Sequence, residues 1–311
     1  AQPSDGQGDQ HSGLEDACVQ GWQGSEGFCE LSFLLNVRPD FRWESGFSFD
    51  RTDMEQNIFT RDAFVGKTAL ISGGTSGIGL AAAEIFLAGG ASVMLVGRDA
   101  ARGQTALARL SAGERAQFTR SDVRRTEDCH RAAEETVHTF GDIDILVNSA
   151  GIYVEGALDD LTEETLDDLI ATNVKGTFHL TQATLPHLRS TLGNIVNVAS
   201  DAGLHGNYFC AAYAATKGAV IAFTRSLALE LAGDQVRVNA VAPADILTPL
   251  TERQFSSQRA REEQLREMAS VYPLGRIGTP CEAAAVIAFL ASPAAGWVTG
   301  SVYCVDGGLT A

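Results

Sequence analysis

Lys67-Thr-Ala-Leu-Ile-Ser-Gly-Gly-Thr-Ser-Gly-Ile-Gly79 opens the regular part of the chain. A short apolar run ends in glycines and hydroxyl residues, and an alanine-rich stretch follows. This reads as a buried strand over 67–72, a glycine turn over 73–79 and a helix over 80–89. The alternation returns downstream: strand 91–96 ending at Gly97-Arg98, helix from about 100 to 111, strand 116–119, helix 126–140 and strand 143–148. Strands that alternate with helices fold as repeated βαβ units into a parallel sheet covered on both faces. Apolar runs at 194–198, 236–241 and 301–305 bring the expectation to about seven strands in one doubly wound α/β domain over 54–311.

The chain has 311 residues, 45% of them hydrophobic and 20% charged, with a net charge of −16. No apolar run reaches the roughly 18 residues of a membrane-spanning helix. The acidic balance argues against nucleic acid or an anionic membrane as a partner, since both require a basic footprint. Six cysteines (18, 29, 129, 210, 281 and 304) form no CxxC pair and no Cys/His zinc spacing, and the six histidines show no HxxxH or HxH. No metal is expected, and unpaired thiols suit a reducing, cytoplasmic setting, with a Cys18–Cys29 pair as the alternative in an exported chain.

Residues 1–53 differ from the rest, with 10 acidic against 3 basic side chains and a Gly/Gln/Asp/Ser-rich start. They read as an N-terminal extension, flexible at first. Phe41, Trp43, Phe47 and Phe49 suit packing of its second half against the body or a partner. A chain that opens on Ala1 with Met54 ahead of the regular pattern reads equally well as carrying an added upstream segment.

Tyr213-Ala-Ala-Thr-Lys217 lies inside a long helical run over 211–231. Residues four apart share one face of a helix, with Cβ atoms about 5 to 6 Å apart. An ammonium that close lowers a phenol pKa by roughly 1 to 3 units and lets it work as an acid or base. Only 3 of the 23 basic residues are lysines, so Lys217 stands where this sequence usually writes arginine. Taken alone the pair is a solvated helix face; its company decides.

A glycine turn between a first strand and a helix is where a dinucleotide pyrophosphate meets backbone N–H groups and the positive end of a helix. Here the glycines are 73, 77 and 79, not G-x-G-x-x-G. From about residue 64 to 311 the chain resembles the short-chain dehydrogenases/reductases in their common form of roughly 250 residues. Ser72 to Gly79 looks like their TGxxxGIG loop with Ser for Thr, and Asn148-Ser-Ala-Gly151 like NNAG with one Asn replaced. Asp122-Val123 looks like the adenine-holding pair, Pro243 to Thr248 like PGxxxT, and Val305-Asp-Gly-Gly308 like the closing strand. Asn173, Ser200, Tyr213 and Lys217 match the family tetrad.

The resemblance implies a Rossmann-like fold and a nicotinamide dinucleotide held by Gly73, Thr75, Ser76, Gly77, Ile78 and Gly79. Arg98, Asp122, Val123, Asn148, Ala150, Gly151, Pro243, Ile246 and Thr248 would complete that site together with Tyr213 and Lys217. Ser200 would polarise a substrate carbonyl and Tyr213 would give it a proton, Lys217 lowering the phenol pKa and bridging the ribose. Asn173 would hold a water linking Lys217 to solvent. Ala244 replaces the glycine after Pro243, a cost on the order of 1 kcal/mol if φ must be positive there.

A carboxylate at the end of the second strand grips the ribose of NAD, whereas an arginine welcomes a 2′-phosphate. Gly97 occupies that place and Arg98 follows, so NADP(H) is expected, with NAD(H) as the alternative and Asp99 as a carboxylate able to turn inward. The expected reaction interconverts a ketone and a secondary alcohol. The rivals are a silent dinucleotide-binding protein and reduction of an activated C=C bond. A substrate pocket is expected from 152–155, 201–209 and a lid over 247–274. Leu204, Tyr208 and Phe209 suit an apolar or aromatic substrate. The helix over 211–231 and the last strand suggest a homodimer or homotetramer.

Overall fold

Every side chain of β1 (Thr68–Ser72) is buried, as a central parallel strand requires when helices cover both faces. The computed structural model describes residues 62–256 and 258–311. The expectations for residues 1–53, for Cys18 with Cys29 and for Met54 lie outside the described residues.

Six further strands follow: β2 (Ser92–Gly97), β3 (Ala116–Arg120), β4 (Ile145–Asn148), β5 (Asn194–Val198), β6 (Arg237–Pro243) and β7 (Val302–Val305). They form one parallel sheet in the order β3-β2-β1-β4-β5-β6-β7. The helices are α1 (Gly77–Ala88), α2 (Ala100–Leu110), α3 (Thr126–Phe140), α4 (Glu163–Leu169), α5 (Gly176–Thr191), α6 (Ala211–Leu231), α7 (Pro249–Glu252), α8 (Arg261–Ala269) and α9 (Pro280–Ala291).

Successive strand residues serve opposite faces. Ile71 and Leu95 pack with Phe86 of α1 and Ile287 of α9, while Leu70 and Met94 pack with Ala132 of α3, Leu180 of α5 and Leu227 of α6. The doubly wound Rossmann-like fold expected from the alternation is therefore present. The strand order reverses between β1 and β4, and the crevice beyond their carboxyl ends is where such folds bind ligands.

Helix α1 begins at Gly77, three residues before the expected start. A Cβ on Gly79 would lie 2.6 Å from the Gly73 carbonyl oxygen. The glycines that read as turn are thus needed for close packing of the first helical turn. Between α4 and α5 the helix widens into a π segment, Ile170–Lys175, which carries Asn173.

Candidate active site

The loop after β1 is shaped for backbone approach. Gly73 has φ +65°, and a Cβ there would meet the Ala150 backbone at 2.9 Å. Gly77 has φ +55° and faces Thr248, whose Cγ2 would lie 3.2 Å from an added Cβ. Ser76 sits at the N-cap of α1 without spending its hydroxyl on capping. The first-turn N–H groups have no intrahelical acceptor, and the cavity in front of them is lined by Gly73, Ser76, Gly77 and Ile78. Ser72 Oγ accepts from both Ser149 N and Ala150 N at 3.1 Å, tying the β4 loop to β1. Asn148 Nδ2 donates to Thr181 at 3.0 Å and Asn197 at 2.9 Å.

Across that cavity, of about 890 Å3, lie Ser200, Tyr213, Lys217, Pro243, Ile246 and Thr248. Asn173 is buried, its Oδ1 accepting from Ile152 N at 2.8 Å and its Nδ2 donating to the Ile152 carbonyl and to Thr216. Its side chain is thereby a clamp on the loop after β4. A Cβ on Gly151 would touch Asn173 Oδ1 at 3.3 Å and Lys217 Nζ at 3.6 Å, so three expected site residues converge there. Ser200 Oγ donates to Asp201 Oδ1 at 2.8 Å and accepts from Ala202 N at 3.2 Å.

Tyr213 and Lys217 share a helix face as their spacing requires, with Nζ 5.8 Å from the ring centre. The expected depression of the phenol is not what the surroundings produce. Burial, helped by the charges of Asp201, Cys210 and Asp245, pushes the Tyr213 phenol well up, and the Ser200 hydroxyl offsets this only in part. Lys217 donates to the Val198 carbonyl at 2.8 Å, and burial lowers its own pKa from 10.5 to about 8. The helical spacing is right, but the phenol shifts the other way, because desolvation and the acidic groups around it outweigh the Ser200 hydrogen bond.

Two other expectations change. Ala244 is not among the described non-glycine residues with positive φ, so the anticipated strain does not arise. Asp99 turns toward α2, accepting from Arg102 N at 3.1 Å as the N-cap, and does not offset Arg98. Arg98, Arg102 and Arg253 line a second cavity of about 1060 Å3 that shares Thr75 and Ser76 with the glycine loop. Sequence reasoning missed Arg102; the available signal was a basic residue in the first turn of α2, where the helix dipole favours acids.

Asp122 and Val123, expected around the adenine, line neither of the two cavities. Burial raises the Asp122 carboxyl, but hydrogen bonds from Arg124 Nη2 at 2.7 Å and from its backbone outweigh this and hold it below the usual range. Arg124 also reaches Asp168 at 3.0 Å. The Val123 carbonyl receives Cys129 Sγ at 3.5 Å and lies 3.2 Å from His179 Nδ1. Among the described residues no group of three or more His, Cys, Asp or Glu side chains could hold a metal ion.

Of the residues expected over the substrate, Leu204 does not line the main cavity and Phe209 faces the second one. Tyr208 lines the main cavity but is 92% exposed. Glu155 and Asp245 line it instead, each bound by a tyrosine hydroxyl: Tyr153 to Glu155 at 3.0 Å and Tyr272 to Asp245 at 2.7 Å.

A glycine cradle that tolerates no Cβ, an open helix N-terminus and a cavity running from it to a tyrosine and a lysine fit a nicotinamide dinucleotide. The fold and the site define a dinucleotide-dependent oxidoreductase. The family model described as enoyl-(acyl carrier protein) reductase matches residues 73–310. L-fucose dehydrogenase of Bos taurus is 38% identical over 246 residues, covering 79% of this chain and 90% of that protein. The 3-oxoacyl-(acyl-carrier-protein) reductase of Thermotoga maritima is 40% identical over 247 residues, covering 78% and 98%. A crystal structure titled short-chain dehydrogenase/reductase, glucose/ribitol dehydrogenase, from Brucella melitensis superimposes with a TM-score of 0.75 at 36% identity, covering 81% of this chain and 100% of that one. A 3-ketoacyl-(acyl-carrier-protein) reductase from Brucella melitensis complexed with NADH gives 0.73 at 33% identity, covering 80% and 100%. The chain belongs to the short-chain dehydrogenase/reductase family, and is an NAD(P)-dependent oxidoreductase acting on CH–OH and C=O groups.

Proposed function

We propose that the protein is an NADP(H)-dependent reductase of ketones to secondary alcohols with Tyr213 as general acid. The observation that carries this reading is the meeting of Ser200, Tyr213 and Lys217 with the glycine loop on one cavity. Bound there by the glycine loop, Arg98 and the Pro243 to Thr248 stretch, the cofactor supplies hydride. Tyr213, kept protonated by its burial, gives its proton to the developing alkoxide oxygen. Ser200 turns its hydroxyl from Asp201 to that oxygen and stabilises the charge. Lys217, adjacent to the phenol without a direct hydrogen bond to it, acts beside it as a positive charge. Asn173 acts through position, holding Ile152 and Thr216 beside the pair.

Preference for NADP(H) over NAD(H) rests on Gly97, where no carboxylate repels a phosphate, and on Arg98 with Arg102 and Arg253 around the second cavity. The four described cysteines are free thiols, in keeping with a cytoplasmic enzyme. The stack of half-exposed Phe178 on Phe223, with exposed Leu229 nearby in sequence on α6, supports assembly as a homodimer or homotetramer.

The test follows NADPH oxidation by the full chain across a panel of ketones, with unsaturated thioesters alongside because of the family model's description. Turnover of ketones with the thioesters inert supports the proposal. Selective C=C reduction overturns it, as does tight cofactor binding with no turnover of any carbonyl.

A further inference from the structure

The substrate end of the main cavity carries an uneven charge. Glu155 from the loop after β4, Asp201 from the turn after β5 and Asp245 from the loop after β6 all line it. Lys217 is the one lysine or arginine among the described residues that do, and its ammonium is committed to the Val198 carbonyl. His205 stands 3.3 Å from Asp201. The acidic groups are close enough to act on one another. Burial pushes the Asp245 carboxyl up against the lowering hydrogen bond from Tyr272, and the charges of Asp201 and Glu155 add smaller pushes in the same direction as burial.

These carboxylates are held rather than loose. Asp201 is buried and takes the Ser200 hydroxyl at 2.8 Å. Asp245 takes the Tyr272 hydroxyl at 2.7 Å, and that same oxygen accepts from Asp245 N at 3.2 Å. Glu155 takes the Tyr153 hydroxyl at 3.0 Å, and the Tyr153 ring packs edge-on against Tyr213 at 4.9 Å. A carboxylate has about four lone-pair sites, so each retains acceptors after these bonds. The cavity thus offers fixed acceptors and negative charge beside the reacting tyrosine.

Building on the proposed reductase activity, we infer that the substrate bears no anionic group and presents hydrogen-bond donors, hydroxyl or ammonium, to Glu155 and Asp245. A carboxylate or phosphate brought into this cavity meets like charge, and the one ammonium that lines it among the described residues already donates to the Val198 carbonyl. A hydroxyl or ammonium gains charge-assisted bonds there. Of the three residues behind the apolar or aromatic expectation, Tyr208 lines this cavity and is largely exposed, while Leu204 and Phe209 do not line it.

Three small ketones with a common skeleton read this directly: hydroxyacetone, aminoacetone and acetoacetate, which differ only in a hydroxyl, ammonium or carboxylate group. With the full chain and NADPH, kcat/KM for hydroxyacetone and aminoacetone should exceed that for acetoacetate by roughly 10- to 100-fold. Glu155→Gln and Asp245→Asn should each narrow the gap several-fold. Added salt should narrow it too, by screening. An ammonium ahead of the hydroxyl assigns a cationic substrate, and the reverse order a polyol; either supports the inference. Acetoacetate equal to or better than the others overturns it, as does a gap that neither variant moves. Ligand-observed NMR ranks binding of the same compounds whether or not they turn over. Failure of all reduction would therefore sink the activity, while the binding order would still decide the charge preference.

Discussion

Lys217 holds its ammonium 5.8 Å from the centre of the Tyr213 ring while spending a hydrogen bond of 2.8 Å on the Val198 carbonyl. The pair is adjacent without being directly bonded, so the proton chemistry belongs to the phenol and the lysine acts beside it. Replacing Tyr213 with Phe should lower ketone reduction by roughly 10²-fold or more, the usual scale of a general acid contribution. Cofactor affinity, followed by fluorescence titration with NADPH, should stay nearly unchanged. Near-normal turnover in Tyr213→Phe would remove the tyrosine from the mechanism.

Burial of Lys217 also ties stability to pH. Its pKa is about 8 in the folded chain against 10.5 ordinarily, so between these values the unfolded chain holds the proton that the folded chain has lost. Stability from this group is therefore fully present above 10.5 and lost as pH falls through about 8. The unfolding free energy of the parent minus that of Lys217→Met should rise by about 3 kcal/mol across that window. A flat difference in urea titrations would place the ammonium in better contact with solvent than its burial implies.

The sheet was legible because its pattern is strong and bounded. Helix α3, strand β5 and helix α6 have the ends expected of them, α3 closing before Gly141 and β5 opening after Gly193. The start of α1 was not, because glycine in a helix is read as a break until its neighbour at 2.6 Å is known. Tyr213 and Lys217 were legible through helical spacing, but desolvation has no sequence signature, so the direction of the phenol shift came out reversed. Glu155, Asp201 and Asp245 come from three loops, and only the order of β4, β5 and β6 brings them together. Likewise nothing in Ile170–Lys175 announces a π segment.

Arg237 presents a stability test away from the site. It lies at the start of β6 and donates to the carbonyls of Leu290 at 2.7 Å, Val298 at 3.3 Å and Ser292 at 3.3 Å. Burial lowers its pKa, and the guanidinium ties the end of α9 and the Val298 segment to β6. Arg237→Ala leaves these carbonyls without their donor and should cost about 2 to 4 kcal/mol. A urea midpoint within error of the parent would mean that water replaces the guanidinium without loss.

A chain beginning at Met54 should fold and keep its activity, since β1 begins at Thr68 and the family match begins at residue 73. Circular dichroism and NADPH-dependent ketone turnover check this. Loss of either would assign residues 1–53 a part in the core or the active-site cover.

Cofactor choice turns on the end of β2. A Cβ on Gly97 would lie 3.1 Å from Thr75 Cγ2, so the position where a ribose-binding carboxylate is expected is filled from the glycine loop instead. Arg98 follows directly, and Asp99 is occupied with Arg102 N at 3.1 Å as the cap of α2. Arg102 is 3.6 Å from Asp99 and faces the same cavity as Arg98. A guanidinium bonded to a phosphate contributes about 1.5 to 3 kcal/mol, so NADPH should be preferred over NADH by roughly 10- to 100-fold in kcat/KM. Arg98→Ala should erase most of that preference by weakening NADPH and leaving NADH little changed. Arg102→Ala should do the same to a smaller degree, because its charge is shared with Asp99. Equal or better use of NADH by the parent would sink the assignment, and an unchanged ratio in Arg98→Ala would reduce that arginine to a solvated strand-end charge.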